Sequence, residues 1–458
     1  MTKIDRTTKY DFKKPDKSIF KVKKGLSSDI VREISKERAE PKWMLDMRLK
    51  AFDLFKKMSM PSFGPDLSGL DLEDLHYYAK STNEKKKTWQ DVPDEIKQSF
   101  EKLGIPEQER EFLAGVGAMY DSEVVYRSLQ ESLEKQGIIF CDLSTAIKKH
   151  EKLFKKYFGS VVPMDDNKFT ALNFAFCSGG GFIYIPKNIK VEMPIQACFR
   201  MNVESLGHFA HSLIIADEGS EVQIIEGCTS PAYLKNSLHA GIAEVVVRPG
   251  AHVRITAVQN WSKNVYTLVT KRANVHKNGT MEWIEANIGS KKTMMYPCSV
   301  LMEDDAKTEI TTLSLASQGQ DQDTGAKVIH LGNNTSSKIL SKSISKKGGI
   351  SSFRGLVRVA KDAKNTKSKV QCDSLILDEK SKVYSYPILD VQNNESQVEH
   401  EAFVSKISEE QLFYLKQRGL SKSQAESLIV NGFIEPFSKH LPQEFENHLG
   451  ILIDFDIL

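Results

Sequence analysis

Between residues 210 and 400 the chain keeps returning to one short pattern. EGSEVQII, RPGAHVRI, KNGTMEWI, DDAKTEIT, NNTSSKIL, DAKNTKSKV and NNESQVEH each join a turn to an alternating, β-branched run. Anchored at Gly219, Gly250, Gly279, Ala306, Asn334, Ala363 and Asn394, the intervals are 31, 29, 27, 28, 29 and 31 residues. One such unit cannot bury its own apolar face, but a stack of them can, with strands about 4.8 Å apart. A β-sandwich would also use short alternating strands, yet it has no reason to keep a constant interval. The spacing therefore predicts a mainly β chain whose core, residues 161–405, is a solenoid of the β-helix type.

The flanks read differently. Residues 1–160 are expected to be mainly helical, because REFLAGVGAMYDSEVVYRSLQESLEKQG (110–137) places apolar residues at helical spacing and ends at Gly137. In residues 406–458, Ser408 with Gln411 and Gly419 predicts one capped helix, and Ser421 with Gln424 and Gly432 a second. A third is expected to begin near Pro442. The solenoid would thus carry a helical region at each end.

Composition narrows the function. The 63 basic and 60 acidic residues leave a net charge of +3, so a nucleic-acid partner is not indicated. The lysines of KKPDKSIFKVKKGL are expected to form a solvated arm. No run approaches the roughly 18 apolar residues of a membrane span, and the charged start has no apolar core of a secretory signal. The cysteines (141, 177, 198, 228, 298 and 372) include no CxxC pair, which argues against a zinc ribbon or a self-contained ferredoxin-like cluster. Free thiols in a reducing, cytoplasmic compartment are expected.

The repeat is also a ruler. His400 follows Cys372 by 28 residues, so the two are expected to stand in adjacent rungs. If the pleat sends both to one side, thiolate, imidazole and the carboxylate of Glu401 form a patch suited to a transition metal, with iron–sulfur chemistry or zinc favoured by the thiolate. Arg200 and Cys228 are also 28 apart, and Cys228 and Gln259 are 31 apart. From Cys228 to Cys372 is 144 residues, about five repeats, hence roughly 24 Å along the stack. That is too far for a disulfide and suits two stations joined by a path.

At FRMN, EGCTSPAY, LHAGIAEV, VQNW, QCDS, YPILDVQN, VEHEA and QLFYLKQRG the chain resembles the B-type scaffold subunits (SufB) of the SUF iron–sulfur cluster assembly system, from about residue 100 to the end. The resemblance implies a right-handed parallel β-helix, an ATPase partner, SufC, bound through the C-terminal helices, and a paralogous partner, SufD, or a second copy of the chain. It implies that Cys228 accepts persulfide sulfur from a cysteine desulfurase and its sulfur-relay protein. It implies that a nascent 2Fe-2S or 4Fe-4S cluster forms at Cys372 and Glu401, with His400 beside them, for transfer to apo iron–sulfur proteins. Arg200, Asn202, Gln259, Trp261 and Lys277 would line the path between the cysteines, and some relatives bind reduced flavin. Many bacterial relatives carry an N-terminal cysteine motif, whereas no cysteine precedes Cys141 here.

Two other function classes fit part of the pattern: an enzyme with Cys372, His400 and Glu401 as a nucleophilic triad, and a non-catalytic paralogous subunit. No Gly-rich oxyanion element flanks Cys372, and the retained EGCTSP and QCDS favour the B type. The glycine run after Cys177 lacks the Lys-Ser/Thr of a phosphate loop and is expected to be a turn. Cys141, Cys198, Cys298, His208 and His211 are expected to be packing residues. Phe413 and Tyr414 are expected to face a partner or the coil from an amphipathic helix.

Overall fold

In a computed structural model, which describes residues 15–82 and 113–439, two parallel sheets wind around each other as a β-solenoid of about eight turns. The first sheet runs from Ile195–Arg200 through Glu221–Thr229, His252–Trp261, Thr280–Gly289, Lys307–Ala316, Ser336–Ser345 and Lys367–Ile376 to Gln397–Lys406. The second runs from Gly181–Ile185 through His211–Ala216, Ile242–Val247, Val265–Val275, the pair Lys292–Met295 and Cys298–Leu301, Asp321–His330 and Ile350–Val359 to Lys382–Val391. Facing residues in the first sheet step by 27 (Thr280 to Lys307) to 31 (Glu221 to His252).

The repeat has a physical cause at one corner of each turn. Gly219, Gly250, Asn278, Asp305, Asn334 and Asn365 all have φ between +53° and +68°, a region that Gly, Asn and Asp tolerate best. Their backbone N–H groups donate up the stack, Gly219 to Pro249, Gly250 to Lys277, Asn278 to Asp304, Asp305 to Asn333 and Asn334 to Lys364. These left-handed corners are the turn signals of the sequence, shifted by a residue or two at Gly279, Ala306 and Ala363.

Strand alternation divides each strand into an outer and a lumen face. One lumen file of the first sheet reads Ile195, Ile224, Ile255, Trp283, Ile310, Ile339, Val370 and His400 from rung to rung. The second sheet answers with Ile214, Val245, Ala273 and, further along, Ala326 and Val328. Burying each large aliphatic side chain of this file contributes about 1.5–3 kcal/mol.

The N-terminal region departs from the helical expectation. Gly115–Tyr120 and Glu123–Leu129 form an antiparallel hairpin around Asp121, and only Glu131–Lys135 of the 110–137 segment is helix; residues 110–112 lie outside the described residues. The β-branched and aromatic residues of GAMYDSEVVY satisfy helical and strand spacing alike, and pairing of Gly115–Tyr120 with Ile195–Arg200 decides for strand. The helices Ser28–Glu37, Lys42–Lys57 and Lys168–Phe176 pack together over the second sheet, and Arg48 pins them. Its guanidinium donates to the carbonyls of Ala175 (3.0 Å) and Cys177 (2.6 Å) and to the Glu40 carboxylate.

At the C-terminal end, Glu409–Gln417 is capped by Ser408, and Lys422–Ser438 by a Ser421–Gln424 capping box. Gly419 ends the first helix at φ +89°. Gly432, expected as a terminator, lies inside the second, which continues to Ser438 because Ile434 and Phe437 bury against the solenoid. The helix expected near Pro442, and the first two residues of the basic stretch, lie outside the described residues. The two C-terminal helices cover the outer face of the first sheet at Ile284, Ala286, Leu313, Ile344 and Leu375.

The N-terminal region is also clamped to the coil by a buried charge pair. Asn173 spends both amide hydrogens on the carbonyls of Ala210 and Ala240, so its Oδ1 is the acceptor of a proton on His211 Nδ1. Glu244 accepts the backbone N–H of Gly159 at Oε1 and those of Val161 and Val162 at Oε2, and its Oε1 lies 2.9 Å from His211 Nε2. His211 is therefore doubly protonated. Burial opposes the charge, but Cys177 and Glu244 outweigh it and hold the ring above its ordinary 6.5. The stabilisation is complete below about pH 6.5 and is lost as pH rises through the folded value. His211→Gln is expected to lower the melting temperature more at pH 6 than at pH 9; an equal loss at both would show that the ring is neutral.

Candidate functional site: a polar lumen between two cysteines

Beside the aliphatic file, the lumen face of the first sheet is polar. One file reads Cys228, Gln259, Asn287, Ser314, Ser343 and Ser374; its neighbour reads Glu226, Ala257, Glu285, Thr312, Ser341 and Cys372. Hydrogen bonds knit the rungs, Thr312 Oγ1 donating to Ser341 Oγ at 2.9 Å and Ser343 pairing with Ser374 at 2.7 Å. The second sheet faces them with His208, His239, Thr267, Thr293, Gln322 and Ser351, again one per rung. All of these polar residues are buried. Glu285 Oε2, Asn287 Oδ1, Ser314 Oγ, Gln322 Oε1 and His208 Nε2 have no hydrogen-bond partner among the described residues. A row of orphaned polar atoms marks space for water or a polar guest.

Cys228 stands at one end. It is 3 % exposed and lines a cavity of about 30 Å³ with Phe199, Glu226, His239, Gln259 and Lys271. Burial, together with Glu226, pushes its thiol well above the ordinary range, while Lys271 opposes. Trp261 closes this end, its Nε1 donating to Gln259 Oε1 at 2.8 Å and its ring tilted against His239 at 4.8 Å. Lys271 enters from the second sheet, 3.1 Å from Glu226 Oε2 and 2.7 Å from Glu285 Oε1. Burial works against its charge, but the two carboxylates outweigh it and keep it protonated.

Cys372 stands at the other end, five rungs on and one file over. Its Sγ lies 3.7 Å from His400 Nε2 and 3.5 Å from Ser385 Oγ. Burial raises this thiol too, with the Ser385 hydrogen bond opposing. One rung further the coil ends in the strands Lys382–Val391 and Gln397–Lys406, whose outer edges pair with nothing among the described residues. Side chains of this last rung are exposed on both faces, including Tyr384, Tyr386, Leu389 and Val404, with Ile388 at 57 % and Phe403 at 61 %.

The expected residues are thus only partly assembled. His400 and Cys372 do share a side, but the register is 30: Cys372 faces Ala402, and His400 reaches it diagonally. Glu401, opposite Gln371, points outward toward Lys369 (3.5 Å), so the expected three-ligand patch and the Cys–His–Glu triad do not form within this chain. No cluster of three or more His, Cys, Asp or Glu side chains poised for a metal occurs among the described residues. Cys228 and Gln259 stack as expected. Arg200 does not stack on Cys228: the step is 29, which sets it opposite Thr229 on the other face. Asn202 buttresses the same corner, its N–H donating to Asp121 Oδ1 at 2.7 Å. Lys277 sits in an exposed turn beyond its strand, its N–H on Glu303 Oε2, and does not line the lumen. The lumen lysine is Lys271. It, Glu226, Glu285 and His239 were missed, although Glu226 and Glu285 fall two residues before Cys228 and Asn287 on the same strand parity, which was a readable signal.

A solenoid with a thiol at each end of a polar bore offers soft donors suited to sulfur or metal chemistry. The sequence matches the family model for the SufBD core domain of the SUF system for FeS cluster assembly over residues 199–433, and that for the SufBD protein N-terminal region over residues 31–197. It is 53% identical over 449 residues to iron–sulfur cluster assembly SufBD family proteins of Staphylococcus haemolyticus (strain JCSC1435), Staphylococcus epidermidis (strain ATCC 12228) and Staphylococcus aureus (strain COL), covering 98% of this chain and 97% of each relative. The chain belongs to the SufBD family of iron–sulfur cluster assembly proteins. No described helix is long and apolar enough to cross a membrane.

All six cysteines are buried. A thiol reagent such as Ellman's is expected to titrate none of them within minutes in the native chain near neutral pH, and all six in guanidinium. Fast labelling of Cys228 in the native chain would contradict the closed bore.

Proposed function

We propose that this chain is the B-type scaffold of a SUF assembly. Cys228 accepts sulfane sulfur from a cysteine desulfurase and its relay protein, the sulfur passes along the lumen to Cys372, and a cluster is built there for delivery to apo-proteins. The observation that carries this reading is the unbroken polar file running from Cys228 to Ser374 on the rung of Cys372, beside a second file that is polar except at Ala257, where a purely structural coil would stack aliphatic residues. A bore closed to solvent shields sulfane sulfur from reductants, and its side-chain dipoles replace the lost hydration. Reduction of sulfane sulfur to sulfide takes two electrons, which a reduced flavin carried by the assembled complex would supply.

Iron is the cargo at the far end. Cys372 Sγ and His400 Nε2 supply two donors on one side of the last covered rung, fewer than a cluster needs. The remaining ligands would come from a partner, SufD or a second copy, paired on the open apolar edges of Lys382–Val391 and Gln397–Lys406. Glu401, on the outer face of that rung, would serve such a shared site from outside the lumen. The C-terminal helices, with exposed Phe413 and Tyr414, would dock the SufC ATPase.

The test mixes the chain anaerobically with its ATPase and partner subunits, ferrous iron, cysteine and a desulfurase pair, followed by visible and Mössbauer spectra. Wild type is expected to gain an iron–sulfur spectrum and Cys372→Ser to lose it. Cys228→Ser is expected to lose it with cysteine as the source and recover it with free sulfide. Equal assembly by both variants would overturn the proposal.

A further inference from the structure

The charges around Cys228 form a closed set. Lys271, Glu226 and Glu285 are 3 %, 7 % and 0 % exposed, and the ammonium bridges the two carboxylates at 3.1 and 2.7 Å. The ionised trio carries one net negative charge, and two of its members, Glu226 and Lys271, line a cavity with Cys228. The cavity's volume of about 30 Å³ has room for about one water-sized guest. Turning the Cys228 thiol into a persulfide anion would add a second negative charge to a dry site, which a low-dielectric interior strongly resists.

Glu285 offers the way out. Oε1 is committed to Lys271, whereas Oε2 has no hydrogen-bond partner among the described residues despite full burial. We infer that Glu285, working through Lys271, takes up the thiol proton when Cys228 accepts sulfane sulfur. This rests on the acceptor role proposed for Cys228. In the step, the S–H bond of Cys228 breaks and its electron pair forms a bond to the outer sulfur of the donor persulfide. The donor's own S–S bond breaks and leaves that pair on the donor sulfur, which departs as a thiol with the proton of the transferred outer sulfur. The Cys228 proton passes to Lys271, which hands one of its own to Glu285 across their 2.7 Å contact at Oε1. The persulfide anion then replaces the Glu285 carboxylate beside Lys271, so the net charge of the site is unchanged and nothing is oxidised or reduced overall. When sulfur leaves, the proton returns.

The other groups nearby do not compete. His239 shares the cavity, but burial holds its ring well below the ordinary range, and burial holds its partner His208 at about 4. The ionisable groups facing Glu285 are Lys271 from the second sheet and Glu226 and Cys228 from the first; the flanking strands contribute Ala257 and Thr312. Burial raises the Glu285 carboxyl, Lys271 lowers it and Glu226 raises it again, leaving it at about 7. Glu285 is thus empty of its proton above neutral pH and ready to receive one. It is a positioning residue, since it acts through Lys271.

The experiment loads the full chain, in its complex, with cysteine persulfide as the probe and follows Cys228 persulfide by mass spectrometry from pH 6 to pH 8. In wild type the rate is expected to rise with a midpoint near 7, and an infrared difference spectrum on loading should gain a protonated-carboxyl band. Glu285→Gln should load about a hundredfold more slowly and lose the pH slope, and Glu285→Asp should restore the slope. A wild-type profile flat across this range, or a Glu285→Gln variant with the wild-type rate and slope, overturns the inference without any assumption about folding of the variant. A wild-type chain that never carries persulfide at Cys228 fails the acceptor role itself, a different and separately visible result.

Discussion

In-register parallel stacking is the constraint from which the rest of this molecule follows. Each residue of the bore sits directly on the residue one turn before it, so its chemistry must be tolerable to two neighbours about 4.8 Å away. Aliphatic files satisfy this with close packing, as from Ile195 to Val370. A polar file satisfies it only if each member finds a partner along the stack, as Ser343 and Ser374 do. Once a polar file has begun, stacking propagates it, and that turns two distant cysteines into ends of one track.

The track weakens the fold as well as serving it. Each orphaned buried polar group costs about 1–3 kcal/mol, and five lie along this bore among the described residues. Several sources offset them. The aliphatic half of each rung, the left-handed corner ladder and the C-terminal helices over the first sheet all add burial or hydrogen bonds. The Arg48 and His211–Glu244 clamps do the same for the N-terminal region. Strain of this kind, retained where simple packing would remove it, is the signature expected of a working site.

Much of this was legible from residue spacing, because the left-handed corner favours Gly, Asn and Asp and recurs once per turn, as from Gly219 to Asn365. The solenoid and the Cys228–Gln259 stack came from that ruler, and the C-terminal helices from their capping residues Ser408 and Ser421. The ruler's error was one or two residues, and in a strand one residue reverses the face. That is why Arg200 stands opposite Thr229, on the face away from Cys228. The inward pairing of His400 with Cys372 survived, a slip of two leaving the face unchanged. For Glu401 no register would have helped: it is adjacent to His400, and neighbours on one strand point to opposite faces. Lys277 failed for another reason. Position alone does not say where a strand ends, and the lysine that enters the bore, Lys271, is identified by the carboxylates of Glu226 and Glu285 that hold it from the opposite sheet. The hairpin at 115–129 was hidden because an apolar run of that length fits both periods, and only its pairing with Ile195–Arg200 decides.

The central claim is that sulfur travels inside the coil. Ser314 lies midway between Cys228 and the Cys372 rung, 2 % exposed and flanked by Asn287 and Ser343. Ser314→Leu would plug the bore at an overpacking cost of about 1–3 kcal/mol while leaving both end stations intact. With isotopically labelled persulfide loaded at Cys228, the plugged chain is expected to hold the label there, yet still build clusters from free sulfide. Label reaching Cys372 at the wild-type rate in the plugged chain would mean that the sulfur takes another path.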